Sequence, residues 1–150
     1  MKLENQVTIL KTSKKLKELG VKQESLFEWA EVNFSKSEKD YEWELHHIEL
    51  FPKNWANKNH ISAFTVAELG EMLPVTVFSN KHSQGYRYQA HYELWNIIKG
   101  KMDYLHHEAG NTESEARGKM LIYLIENKID IKEREDEDYT CHCDICDGRV

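Results

Sequence analysis

The chain has 150 residues, and its 20 Lys and Arg against 26 Asp and Glu give a formal net charge of −6. Hydrophobic residues at 40% and aromatic residues at 11% exclude a fully disordered chain. No apolar run reaches the roughly 18 residues of a membrane span, and the first residues lack the apolar core of a secretory signal. We therefore expect one ordinary domain in a cytoplasm, with no membrane as a partner.

Acidic residues are concentrated in two segments of the chain. Residues 24–50 contain eight acidic residues and two Lys, and residues 130–147 contain eight acidic residues, one Lys and one Arg. Residues 1–22 are basic instead, with six Lys and two Glu. Dedicated nucleic-acid binders usually present a dominant basic face, so this distribution argues against nucleic acid as the main partner.

The first predicted elements are a short helix and a strand. Thr12 and Ser13 are suited to cap the start of a helix, and Gly20 is suited to follow its end. Residues 26–32 alternate in the way that is typical of a strand. The polar residues 35–40 are predicted to form a loop.

A second strand, a loop and a second helix follow. Residues 41–51 alternate again and predict a strand, whereas residues 52–62 have no period and predict a loop. Thr65 and Glu68 have the T-x-x-E spacing of a capping box, in which each side chain bonds to the backbone of the other residue. This spacing predicts a helix that ends before Pro74.

The next region predicts a strand and a long hairpin. Residues 75–78 are predicted to form a strand, and residues 79–85 a turn region. Residues 86–98 are the longest alternating run in the chain. Gly100 can supply the positive φ of a tight turn, after which residues 102–107 are predicted to return as the second strand of the hairpin.

The last predicted helix covers residues 113–127. Thr112 and Glu115 repeat the capping-box spacing, and apolar residues recur at every third or fourth position. Because the strands alternate and are not continuously apolar, we predict an α+β fold with an antiparallel sheet of about four or five strands and helices packed mainly on one face. Residues 1–130 would form this domain, and residues 131–150 an acidic Cys-containing tail.

Three blocks of the chain resemble a group of small, uncharacterised proteins of bacterial phages, prophages and other mobile elements. The blocks are residues 14–29, 61–74 and 112–129, and their signature pieces include KKLKELGVKQES, FTVAELGEMLP and EARGKMLIYLIEN. Together the blocks cover about a third of the chain, in the same order. The resemblance implies an accessory protein inside a bacterial host cell, and it implies no catalytic residue because none is established for the group.

The most distinctive motif is C-x-C-x₂-C near the end of the chain, formed by Cys141, Cys143 and Cys146 with His142 inserted. Two thiolates at C-x₂-C spacing can bind one zinc ion, and Cys141 could be the third ligand. The fourth could be His142 or a histidine elsewhere in the chain, from the pairs His46–His47 or His106–His107. A structural zinc site typically uses two such pairs, whereas this chain has one. The alternatives are an acidic end with unliganded thiols and, less in keeping with its position, a redox C-x-x-C pair.

Aromatic and basic side chains alternate along the longest strand pattern. Tyr86, Tyr88 and Tyr92 share one parity, whereas Arg87 and His91 share the other. Aromatic residues combined with Arg are typical of interface hot spots and of base-stacking platforms. The same residue types also pack helices against a sheet, so core packing is the competing interpretation.

The sequence contains no recognisable catalytic or phosphate-binding motif of the G-x-S-x-G, G-x-G-x-x-G or G-x-x-x-x-G-K-[ST] type. We therefore predict a non-enzymatic protein that binds a host protein through an acidic and aromatic surface. Glu42, Glu44 and the loop residue Trp55 are further predicted contact residues. Two alternatives stay open: a small-molecule (nucleotide-like) binding protein, and zinc-assisted contact with nucleic acid through the Cys motif and the Lys-rich start.

Overall fold

A computed structural model describes residues 2–33, 41–50, 59–81, 87–96 and 98–129 of the chain. These ranges contain a 3-10 helix at Leu3–Asn5 and three α-helices, namely α1 (Leu10–Glu18), α2 (Val66–Met72) and α3 (Glu113–Glu126). The strands in the same ranges are β1 (Phe27–Asn33), β2 (Tyr41–His47), β3 (His60–Ser62), β4 (Val77–Lys81), β5 (Tyr88–Asn96) and β6 (Lys101–Gly110). None of these helices combines the length and the apolarity that a membrane crossing needs.

The strands form two antiparallel sheets of three strands each. The first sheet has the order β2-β1-β3, and the second has the order β4-β5-β6. The prediction of an α+β fold is confirmed. The prediction of one sheet with four or five strands and helices on one face is not confirmed, because the described strands divide between two sheets. Alternation shows where a strand runs, but the pairing of its edges depends on the rest of the chain.

The hydrophobic core is organised around α3. This helix contacts all three strands of the second sheet and both other helices, and α1 in turn contacts β3 of the first sheet. The buried cluster draws on all three helices, on β5 and on the segment before α2, and it comprises Leu16, Phe64, Leu69, Leu73, Ala90, Tyr92, Ala116, Met120, Leu121 and Leu124. Helices α1 and α3 therefore connect the two sheets through a continuous set of contacts.

The start of α1 differs from the sequence prediction. The N-cap residue is Ile9, without a side-chain cap, and the predicted caps Thr12 and Ser13 are buried inside the helix. The Ser13 hydroxyl lies 2.7 Å from the Thr8 hydroxyl, which also accepts the backbone N–H of Phe64 at 3.0 Å. These polar side chains join two segments of the fold, and this tertiary role explains why the capping prediction was wrong.

Two segments that were predicted to be irregular are strands instead. Residues 60–62 form β3, where Ile61 lies opposite Trp29 of β1, and residues 79–81 complete β4. Both short segments are polar or aperiodic, so alternation gave no strand signal for them. Their backbone groups pair with a neighbouring strand, and that long-range pairing makes them strands.

The start of α2 has the predicted geometry. The backbone N–H of Glu68 donates to the Thr65 hydroxyl at 3.2 Å, and the backbone N–H of Thr65 donates to the Glu68 carboxylate at 2.6 Å. At α3 the N–H of Glu115 donates to the Thr112 hydroxyl at 3.2 Å, but the Glu115 carboxylate accepts the N–H of Asn111. The capping box of Thr65 and Glu68 is thus confirmed, because both of its hydrogen bonds are present. At Thr112 and Glu115 one of the two is present, from the Glu115 N–H to the Thr112 hydroxyl.

The β5–β6 hairpin ends in a turn that its own side chains stabilise. Gly100 has the predicted positive φ, at +59°. The Asn96 amide donates to Asp103 at 2.6 Å, and the Lys99 ammonium lies 3.0 Å from the same carboxylate. The hydrogen bond from Asn96 and, after it, the one from Lys99 lower the pKa of Asp103. The carboxylate that stabilises the turn is therefore ionised in neutral solution.

Candidate functional site

One side of the second sheet is covered by α3. Ala90 and Tyr92 of β5 are buried there, and Tyr88 packs against the same core. The His106 ring stacks on Tyr123 of α3 with the ring centroids 3.5 Å apart. The Arg117 guanidinium donates to the Ser79 hydroxyl at 3.0 Å, which ties α3 to β4. This side of the sheet is therefore part of the core.

The opposite side of the second sheet presents a row of rings. Phe78, His91 and His107 are direct neighbours on β4, β5 and β6. The Phe78 and His91 centroids are 5.1 Å apart with near-parallel planes, and those of His91 and His107 are 6.3 Å apart. Tyr104 lies beside the row, 5.6 Å from His91 and 5.8 Å from His107. We call the side formed by these four residues the aromatic face.

The aromatic face is open to solvent. Phe78 is 44% exposed and Tyr104 is 51% exposed, and Met102, which shares their side of the sheet, is 45% exposed. The register between β5 and β6 shifts by one residue between Tyr92 and Glu93, and this shift brings Tyr104 opposite Glu93. Partial burial and, after it, the negative charge of Glu93 raise the pKa of the Tyr104 hydroxyl.

Three glutamates of the first sheet lie on one side of it, whereas Glu31 lies on the other side, opposite Trp43. Val32 and Ala30 of β1 lie opposite Glu42 and Glu44 of β2, and Glu28 lies opposite His46. The predicted contact residues Glu42 and Glu44 are therefore on the same side as a third glutamate. The other side of this sheet faces α1, because the Lys14 ammonium lies 4.6 Å from the centre of the Trp43 ring.

The acidic side ends in an exposed apolar pair. The backbone N–H of Ile48 donates to the carbonyl of Leu26 at 3.0 Å, so the pairing continues one step beyond the strands. Leu26 is 54% exposed and Ile48 is 44% exposed. We call the side formed by Leu26, Glu28, Glu42, Glu44 and Ile48 the acidic face.

A groove of about 460 Å³ lies at the apolar end of the acidic face. Its lining combines apolar side chains with carboxylates and consists of Gln23, Glu24, Ser25, Leu26, Glu28, Ile48, Ser62 and Glu68. Glu68 accepts the backbone N–H of Leu26 at 2.9 Å and the Ser25 hydroxyl at 3.0 Å. The groove therefore offers negative charge next to apolar surface.

The carboxylate of Glu68 is stabilised in its charged form. Partial burial alone would raise its pKa, but hydrogen bonds from the backbone of Thr65 and Leu26 outweigh burial, and the hydroxyls of Thr65 and Ser25 add to them. The net effect is that the pKa of Glu68 is lowered. The groove thus keeps this negative charge in neutral solution.

Histidines partner two of the glutamates on the acidic face. His60 Nδ1 lies 3.1 Å from the Glu28 carboxylate, and His46 Nε2 lies 3.3 Å from the Glu44 carboxylate. Among the residues that the structure describes, no group of three or more His, Cys, Asp or Glu side chains is arranged to hold a metal ion.

The structure does not bring the predicted Tyr, Arg and His set together. Tyr88 and Tyr92 are on the α3 side of β5, whereas His91 is on the aromatic face. Arg87 is exposed and directly precedes β5, and continuing the alternation by one residue assigns it to the aromatic face as well. The prediction that Tyr88 and Tyr92 share one side of the strand, with His91 on the other, is therefore confirmed. The four side chains point to two sides of a sheet, so they do not line a common pocket.

Several predicted site residues lie outside the described ranges. They are Trp55, Tyr86 and the whole tail motif, which consists of Cys141, His142, Cys143 and Cys146. The zinc prediction for the tail therefore stays a prediction.

Sequence reasoning missed most of the aromatic face. Phe78 and Tyr104 were not singled out, although strand alternation along β4 and β6 assigns each of them a side. The available signal was that Phe78 and Tyr104 are large aromatic residues in short strand patterns. What could not be read from one strand is that the three strands meet in this register.

Comparison with known proteins gives no further constraint on the two faces. The chain matches no protein family, no curated protein and no solved structure.

Proposed function

We propose that this protein is a non-catalytic accessory protein of a phage or mobile element that binds a basic host protein through the acidic face. The observation that carries this proposal is that the glutamates share one side of the sheet with an exposed apolar pair. Three glutamates on one side of the first sheet lead into the exposed pair Leu26 and Ile48 beside a groove. Apolar contact surface with charged surroundings is the usual composition of a protein interface.

Charge supports a basic partner. Residues 24–50 contain eight acidic residues and two Lys, and the chain as a whole has a net charge of −6. Negative surfaces of this kind steer positively charged proteins toward them and raise the rate of association. Host proteins that bind nucleic acid carry the complementary basic surfaces, so the acidic face would compete with their natural ligand.

Affinity capture with matched variants tests this proposal. Tagged wild-type protein is expected to retain a basic protein from a bacterial lysate, and the Glu42→Lys/Glu44→Lys variant is expected to lose most of it. The Glu4→Lys/Glu71→Lys variant is the control, because it makes the same change in net charge at exposed residues elsewhere. Retention should also fall as salt rises from about 50 to 500 mM, since screening weakens exposed charge pairs.

The apolar end of the face is tested separately with the purified partner. Leu26→Ser and Ile48→Ser should weaken binding in calorimetry without changing its salt dependence, because they remove contact area and not charge. If the Glu42→Lys/Glu44→Lys variant retained the same proteins as the wild type, binding through the acidic face would be ruled out.

A further inference from the structure

The aromatic face leaves large ring side chains exposed to solvent. Its central row runs across all three strands of the second sheet, and Phe78 and Tyr104 are each about half exposed. Large contiguous apolar patches on a protein surface usually mark a contact with another molecule. The opposite side of the same strands is already filled by α3.

The two full charges on the aromatic face cancel each other. Alternation along β4, β5 and β6 places two full charges of the described residues on this side, Arg87 and Glu93. The chain as a whole has a net charge of −6. Because each copy contributes one positive and one negative side chain, an approach of two copies through the aromatic face brings no net charge together.

The positions of these two charges are self-complementary. Arg87, the residue before β5, and Glu93 within it lie six residues apart, which corresponds to roughly 20 Å at about 3.3 Å per residue of extended chain. The midpoint of this span is at Ala90, next to the ring row. A twofold axis that lies midway between two facing sheets, above that midpoint and at right angles to the strand, turns the strand end for end, so it places Arg87 of one copy opposite Glu93 of the other.

We propose that the aromatic face is the interface of a symmetric homodimer, in which the two β5 strands cross face to face and antiparallel. The occupant of the face is thus a second copy of this chain, and the contact is closed by two equivalent Arg87–Glu93 pairs. Packed sheets stand about 10 Å apart with their strands within about 30° of one another. The rings of Phe78, His91 and His107 would fill the centre of that space, and the charge pairs would lie at its rim.

This inference is independent of host binding, because it uses the second sheet and none of the residues of the acidic face. The partner chemistry follows from charge complementarity and not from the identity of any host protein. The two proposals can therefore fail separately.

Sedimentation equilibrium of the full chain tests the dimer by charge exchange. Wild-type protein is expected to reach twice its chain mass of 17.7 kDa with rising concentration. Arg87→Glu and Glu93→Arg, each alone, should raise the dimer dissociation constant by about tenfold, because each creates two like-charge contacts. The double variant should return the constant to within about threefold of the wild type, since the pairs are restored with reversed sign.

Rescue by the double variant is specific to contact between chains. Within one chain the two residues are too far apart to pair, so their coupling can arise only across an interface. Phe78→Ser should weaken the dimer as well, and Leu50→Ser, which alters an exposed apolar residue outside both faces, should not. Circular dichroism melting of each variant checks that the fold is retained.

Two results would overturn the proposal. One is a wild-type chain that remains at the monomer mass up to about 100 μM, since symmetric interfaces of ordinary size associate below that concentration. The other is a dimer whose dissociation constant is unchanged by both single charge reversals or not restored in the double variant.

Discussion

Gly118 lies at the closest approach between α3 and the segment that leads into α1. A Cβ atom at this position would lie 2.8 Å from the Thr12 methyl group and 3.0 Å from that of Thr8. Both threonines are buried, so neither can move away into solvent. The helix thus needs glycine here for contact and not for backbone conformation.

The close approach predicts the effect of a single methyl group. We expect Gly118→Ala to lower the free energy of unfolding by about 1–3 kcal/mol, because overpacking forces the two buried segments apart. Urea denaturation at neutral pH measures this change.

Gly70 of α2 provides the matched control for Gly118. A Cβ atom there would meet only the end of the Arg117 side chain, at 3.0 Å. That long side chain can move, and alanine favours the helix by up to about 1 kcal/mol over glycine. Gly70→Ala is therefore expected to leave the free energy of unfolding unchanged or raised, and an equal loss in both variants would contradict the explanation.

The elements of this fold are stabilised at their ends by specific residues. In α2 the carboxylate of Glu68 accepts hydrogen bonds from the backbone of Thr65 and of Leu26, so it joins the helix start to the start of β1. In the β5–β6 hairpin, Gly100 allows the chain to reverse with a φ of +59°. Each feature leads to a prediction about one element.

Glu68 should make stability depend on pH in the acidic range. Its pKa is lowered in the folded state, so its contribution is fully present well above the ordinary value of 4.5 and is lost as pH falls through the lower folded value. We expect Glu68→Gln to reduce the melting temperature at pH 7, and the difference from the wild type to shrink below about pH 4.5. Glu71→Gln, on the exposed side of the same helix, should show no such convergence in melting curves at pH 7, 5, 4 and 3.

Gly100 should tolerate asparagine better than valine. No atom lies within 4 Å of a Cβ built at this position, so the penalty of a substitution comes from the positive φ alone. Asparagine visits this conformation more readily than β-branched residues, for which left-handed backbone is strained by about 1–2 kcal/mol or more. Chemical denaturation should therefore rank the free energies of unfolding as wild type, then Gly100→Asn, then Gly100→Val.

At the scale of the whole molecule, α3 couples the two sheets. Met120 and Leu124 are fully buried, and the helix contacts the second sheet directly and the first sheet through α1. A cavity in α3 should therefore weaken both sheets at once. This coupling follows from a shared core and not from direct pairing between the sheets.

Met120→Ala tests that coupling. We expect it to lower the free energy of unfolding by about 2–5 kcal/mol, and amide exchange in β1 and β5 to accelerate together. Ile98→Ala is the control, because this apolar residue of the hairpin turn is almost fully exposed and its truncation should change stability by less than about 0.5 kcal/mol. Faster exchange in β5 alone would show that the sheets unfold independently.

Local features of this molecule could be predicted from short stretches of sequence. The capping box of Thr65 and Glu68, the turn at Gly100 and the alternation of β5 each involve residues only a few positions apart. Their energies depend on backbone hydrogen bonds and φ angles within that stretch, so the residue types suffice. For the same reason the sides assigned to Tyr88, Tyr92 and His91 were right.

Predictions failed where distant residues set the outcome. The strand β3 exists because it pairs with β1. Thr12 and Ser13 lie inside α1 because Ser13 contacts Thr8 and Thr12 packs close to Gly118 of α3. No short pattern records these partners. The energy of burial and of long-range pairing overrides the local preference of such segments.

In the candidate sites, too, local patterns could be predicted from the sequence, whereas the contacts between distant residues could not. Residue types alone indicated an acidic, aromatic protein, and alternation assigned Glu42 and Glu44 to one side of a strand. The register between strands then placed those glutamates beside Glu28, and it set Phe78, His91 and His107 in one row. Which side of each sheet is left exposed depends on where α1 and α3 bury the most apolar surface. The total buried apolar area depends on contacts throughout the chain, so no short segment determines it.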